Sequence, residues 1–93
     1  MPMKKEMIEN LRFISSHYGL KHQEVKLIEE MAELTQAIIK GDPKHILEEM
    51  ADVCIMITQI TMLRPESALL ERCMEMKIAR QIARIQRENE SHD

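Results

Sequence analysis

Apolar residues recur along the chain at intervals of three and four, the spacing of one face of a helix, and the pattern predicts four helices. The first spans Met3 to Tyr18, with Met7, Ile8, Leu11, Phe13, Ile14 and Tyr18 as a rough stripe, and Gly19 supplies its C-terminal cap. The second spans His22 to Lys40, with apolar positions covering about half its circumference at 100° per residue. In "KGDPK", Gly41 suits the residue after a helix, Asp42 an N-cap and Pro43 a first helical turn. So short a link turns the third helix, Pro43 to Leu63, antiparallel to the second. "RPES" interrupts the pattern at Pro65. A fourth helix follows from Glu66 to Asn89, with Met74, Ile78, Ile82 and Ile85 on one face, and "ENESHD" frays, leaving 90–93 as a tail. The expectation is an all-α fold, a four-helix antiparallel bundle in a single domain of 93 residues.

Composition agrees. Two glycines, three prolines, one Phe, one Tyr and nine methionines describe a helical chain whose packing rests on aliphatic and thioether groups. The methionines are read as core or interface residues. Helix three carries Met50, Met56, Met62, Ile55 and Ile57 on nearly every side. A chain this short hardly covers such a helix alone, so a homodimer or dimer of dimers is expected. The net charge of −3 argues against direct nucleic-acid binding. No apolar run reaches the ~18–20 residues that span a bilayer, and no apolar stretch follows the two N-terminal lysines as in a signal peptide. Cys54 and Cys73, set among apolar residues without CxxC spacing, read as reduced core residues of a cytoplasmic protein.

The chemistry lies in two acidic phrases, "EEMAEL" at 29–34 and "EEMADV" at 48–53. Glu30 and Glu33 are helical neighbours, and so are Glu49 and Asp52. Folded about Asp42, the two pairs lie at similar heights, mismatched by about 3 Å at ~1.5 Å per residue. Acidic pairs on helices are usually solvated surface. Three features argue otherwise here. None of the four acids has a basic residue at i+4: those positions hold Leu34, Ala37, Val53 and Met56. The stretch "MADVCIMITQITML" at 50–63 contains Asp52 as its one charged residue. A buried carboxylate needs compensation, and four gathered together repel one another, a problem that a divalent cation resolves. Carboxylate oxygens are hard donors that suit Mg²⁺ or Mn²⁺ rather than zinc. A di-iron bundle would carry Glu-x-x-His, which neither phrase contains, and His45 reads as a helix-start residue. Mg²⁺ held by few carboxylates completes its shell with water and phosphate, which points to phosphoryl chemistry.

"EExxE" at 29–33 followed by "ExxD" at 49–52 resembles the MazG-like, all-α nucleoside triphosphate pyrophosphohydrolases. "KLIEEMAELTQAIIKGDPKHILEEMADVCIMITQI" is similar to their core helical pair. "MKIARQIARI" at 76–85 is similar to the end of small members common in phage and Gram-positive genomes. The likeness covers roughly residues 20–87. It implies Mg²⁺-dependent cleavage of a nucleoside triphosphate between its α and β phosphates, giving a monophosphate and pyrophosphate, as nucleotide-pool house-cleaning. It also implies a homo-oligomer. Glu30, Glu33, Glu49 and Asp52 become metal ligands by this resemblance. Glu29 orients a ligand or the attacking water, and Glu48 stays surface. Ala79 departs from an Asn that small relatives often carry, which bears on base or sugar selection. Lys77 and Arg80, with Arg84 and Arg87 further along the same face, are candidates for triphosphate oxygens, and Lys26, one turn before Glu30, is another. The rival readings are phosphoribosyl-ATP pyrophosphohydrolase and a helical interaction module without turnover.

Overall fold

A computed structural model describes residues 3–91 of the chain. Helix α1 spans Lys5–Tyr18, α2 spans Leu20–Lys40, α3 spans Pro43–Leu63, and a 3₁₀ turn at Pro65–Leu69 leads into α4, Leu70–Ser91. No strand occurs among the described residues. No helix among them is long and apolar enough to cross a membrane.

The turns follow from local chemistry. Gly19 alone separates α1 from α2, so α2 starts two residues before the expected His22. Its φ of 83° is a conformation that side chains disfavour, and its N–H donates to the Ser15 carbonyl at 2.8 Å. Gly41, at φ 81°, closes α2 in the left-handed conformation. Asp42 then caps α3, its Oδ1 accepting from the Lys44 N–H at 3.2 Å, with Pro43 in the first turn. At the far end, Arg64 donates to Glu24, tying the end of α3 back to the start of α2.

Helices α2 and α3 form the expected antiparallel pair, and α1 packs mainly on α3. The fourth helix departs from expectation. α4 contacts the 3₁₀ turn and none of the other three helices, so one chain forms a three-helix bundle with an outlying arm. The physical reason is the apolar stripe of α4 itself. Met74, Ile78, Ile82 and Ile85 all stay about half exposed, with none of the other described helices packed against α4. The helix also runs on to Ser91 instead of fraying at Asn89, while 92 and 93 of the predicted tail lie outside the described residues.

The core is small. Leu11, Ala37, Val53 and Met56 are its buried apolar residues. Cys54 and Cys73 are exposed, which corrects their reading as core residues: each sits on a helix face left open among the described residues. Phe13 is likewise 77% exposed, although it was counted in the α1 stripe. The accessible surface of 7870 Å² compares with about 5,600 Å² expected of a compact monomer of 10.9 kDa. The radius of gyration, 16.9 Å, likewise exceeds the roughly 12 Å of a compact chain of this length.

Candidate active site

The antiparallel pairing brings Glu30 of α2 against Glu49 and Asp52 of α3. One carboxylate oxygen from each lies within 4.8 Å of the others. Glu30 is 6% exposed, Glu49 is half-buried and Asp52 is open to solvent, so the cluster runs from the helix interface outward. Glu33, one turn beyond Glu30, is exposed and lies outside this trio. It stands close enough for its charge to raise the pKa of Glu30. Glu48 is plain exposed surface, as expected.

The two glutamates are held alike. Lys26 Nζ meets Glu30 Oε1 at 3.4 Å, and His45 Nε2 meets Glu49 Oε1 at 3.2 Å. In both cases the partner sits one turn earlier on the same helix, at i−4, and not at the i+4 positions, which are apolar. His45 does lie in the first turn of α3, as expected, and its contact with Glu49 adds a partner that the sequence reading did not include. Lys26 also meets Glu29 at 3.5 Å, so Glu29 is an exposed acid beside the cluster.

These contacts use one oxygen of each glutamate. The other, Oε2 of Glu30 and Oε2 of Glu49, is buried and has no hydrogen-bond partner. A buried acceptor with no donor is costly, and an ionised one more so. Burial accordingly raises the Glu30 pKa above the usual 4.5, opposed by the Lys26 hydrogen bond and reinforced by the charges of Glu33 and Asp52. The Lys26 pKa is raised in turn, chiefly by its hydrogen bond to Glu30. The donor set fits a hard divalent cation: all oxygen, two of the oxygens idle and desolvated, excess negative charge, and no thiol.

A cleft of about 700 Å³ opens beside the trio. Lys26 and Glu29 form its near rim, Ile55 and Met56 its apolar wall, and Gln23 and Gln59 lie deeper within. The sequence reading did not single out these two glutamines. Gln59 is the lone side-chain amide in the apolar run of α3, and that was the available signal.

Lys77 and Arg80 are not brought to this site. With Gln81 and Arg84 they line a separate basic depression on α4, the helix that does not touch the bundle. Of the predicted phosphate contacts, Lys26 alone borders the carboxylates within one chain.

Fold and site define an all-α protein with a carboxylate cluster between two antiparallel helices, rooted in the buried Glu30, and a cleft at its side. The family model of the MazG nucleotide pyrophosphohydrolase domain matches residues 20–85, well over half of the chain, and the protein belongs to that family. No curated protein and no solved structure matches it.

Proposed function

We propose that the protein is a Mg²⁺-dependent nucleoside triphosphate pyrophosphohydrolase, with Mn²⁺ able to substitute, that converts a nucleoside triphosphate to its monophosphate and pyrophosphate. The observation that carries this reading is the pair of idle, buried Oε2 atoms on Glu30 and Glu49, two residues whose carboxylates gather with that of Asp52 within 4.8 Å. These three side chains would hold the metal, and Glu33, one turn on from Glu30, is the further candidate ligand. A metal bound there would supply charge neutralisation at the phosphates and favour in-line attack by water. The chain supplies the rest. Lys26 and His45 fix the glutamate rotamers, Lys26 offers its ammonium to a phosphate at the cleft rim, and a carboxylate of the Glu29–Glu33 group takes the proton of the attacking water.

The working form in this proposal is a homodimer or dimer of dimers, because the exposed α4 stripe and the surface excess over a compact monomer call for a second copy. Lys77 and Arg80 then reach a phosphate only from a neighbouring chain.

The test is a substrate panel read by pyrophosphate release: the common (d)NTPs, oxidised or otherwise damaged NTPs, and phosphoribosyl-ATP, each with Mg²⁺. Pyrophosphate and monophosphate in equal amounts from a nucleoside triphosphate are expected. Selective cleavage of phosphoribosyl-ATP would move the protein to that activity. No product from any member at high protein concentration would overturn the enzymatic reading in favour of a binding module.

A further inference from the structure

The Lys26 ammonium stands where two demands meet. Its Nζ lies 3.4 Å from Glu30 Oε1 and 3.5 Å from Glu29 Oε2, so it bridges a member of the carboxylate trio and the exposed acid beside it. It also lines the cleft, together with Glu29. The partner of the other glutamate differs in both respects. His45, 3.2 Å from Glu49 Oε1, is charged only when protonated and does not line the cleft. Among the described residues, Lys26 is therefore the one permanent cation that touches both the trio and the cleft.

Three carboxylates with oxygens within 4.8 Å repel one another, and without metal Lys26 offsets part of that charge. Its hold is weak and easily undone. The Lys26 side chain is 48% exposed, against 8% for Glu30, and a solvated pair one helical turn apart binds an ammonium loosely. A divalent cation at the trio cancels two of its three formal charges and draws on Glu30 directly. Little then keeps Lys26 on Glu30. The ammonium carries three N–H donors on a flexible stem. Two are engaged by Glu29 and Glu30, and loss of the Glu30 contact frees a second donor at the cleft rim.

We propose that Lys26 is a handed-over counter-ion: it neutralises Glu30 while no metal is bound, is released when a divalent cation binds there, and then takes a phosphate oxygen of the incoming nucleotide. This inference rests on the nucleotide reading of the site. It couples metal and phosphate binding through one side chain, which competes with the first and assists the second. The opposite signs are its signature. A lysine that served only to support the helix would move both affinities in one direction or neither.

The test compares the parent with Lys26→Met and Lys26→Arg at pH 8, each shown by thermal melting to be folded. Uptake of Mn²⁺ alone is read from loss of its free electron paramagnetic resonance signal. Binding of the Mg²⁺ complex of inorganic tripolyphosphate, in excess Mg²⁺, is read by calorimetry. Lys26→Met, with the competing charge gone, is expected to bind Mn²⁺ roughly 3- to 10-fold tighter. It is expected to bind the tripolyphosphate complex roughly 10-fold weaker. Lys26→Arg keeps the charge and is expected to reverse the Mn²⁺ gain. Should Lys26→Met fail to fold, Lys26→Gln is read in its place. Unchanged or weaker Mn²⁺ binding in the uncharged variant, unchanged or tighter tripolyphosphate binding, or an Mn²⁺ gain that persists in Lys26→Arg overturns the handover. A parent that takes up Mn²⁺ but not the tripolyphosphate complex overturns it together with the nucleotide reading. Opposite shifts without pyrophosphate release from any nucleotide would overturn the hydrolase reading and leave the handover standing.

Discussion

Replacing Glu49 by Gln is expected to lower the rate of pyrophosphate release by roughly 10²- to 10³-fold, the loss typical of removing one preorganised charge from a phosphoryl-transfer site. Glu30→Gln is expected to act alike. The amide keeps shape and volume but takes away the charge that a hard cation requires. The informative part is stability without metal. Desolvation raises the folded-state pKa of Glu30, so the folded chain holds a proton there more tightly than the unfolded chain does. Metal-free stability contributed by this group therefore falls as pH rises from the ordinary value of 4.5 through the raised one, and stays low at neutral pH. Removing the charge relieves that cost, while Lys26, well exposed, loses its partner to water at little expense. Metal-free Glu30→Gln should thus melt at or above the parent temperature at pH 7 while being nearly inactive. A variant that lost activity and stability together would place Glu30 in the packing and not in the chemistry.

The second large effect concerns α4. Ile78→Glu/Ile82→Glu puts two charges into the middle of a half-exposed apolar stripe. If a second copy covers that stripe, each isoleucine contributes about 2 kcal/mol of burial, and each kcal/mol moves the melting point of a domain this size by about 4–8 °C. The parent is expected to sediment at twice 10.9 kDa or a higher multiple. The double variant is expected to sediment as a monomer and to melt about 20 °C lower. If Lys77 and Arg80 serve a neighbouring chain, its activity falls too. A parent that sediments as a monomer at tens of micromolar would contradict this account.

The helices were legible because each boundary has a local cause. Gly19, Gly41, Asp42 and Pro43 act through their own backbone and side-chain chemistry, which needs no tertiary knowledge. The meeting of Glu30 with Glu49 and Asp52 was legible for a related reason: a short turn fixes the register of an antiparallel pair. What the sequence did not reveal were relations that depend on rotation and on absent neighbours. Glu33 and Glu30 share a helix face by spacing, yet a modest rotation of α2 leaves Glu33 outside the trio. Lys26 and His45 were not evident as partners because the positions one turn forward of the acids are apolar, whereas Glu30 and Glu49 meet their cations one turn back. The placement of α4 was least legible. A stripe of isoleucines states that a helix needs a partner, but not whether that partner belongs to the same chain. The same ambiguity misassigned Cys54 and Cys73 to a core that a single chain does not build.

The central claim is that Glu30, Glu49 and Asp52 share a divalent cation. Its most direct measurement is the loss of the free aqueous Mn²⁺ electron paramagnetic resonance signal on titration with the protein, in the parent and in Glu30→Gln/Glu49→Gln. The account predicts saturable uptake of at least one ion per chain by the parent, displaced by excess Mg²⁺ and absent from the double variant. An Mn²⁺ signal left unchanged by the parent, or removed equally by both proteins, would contradict it.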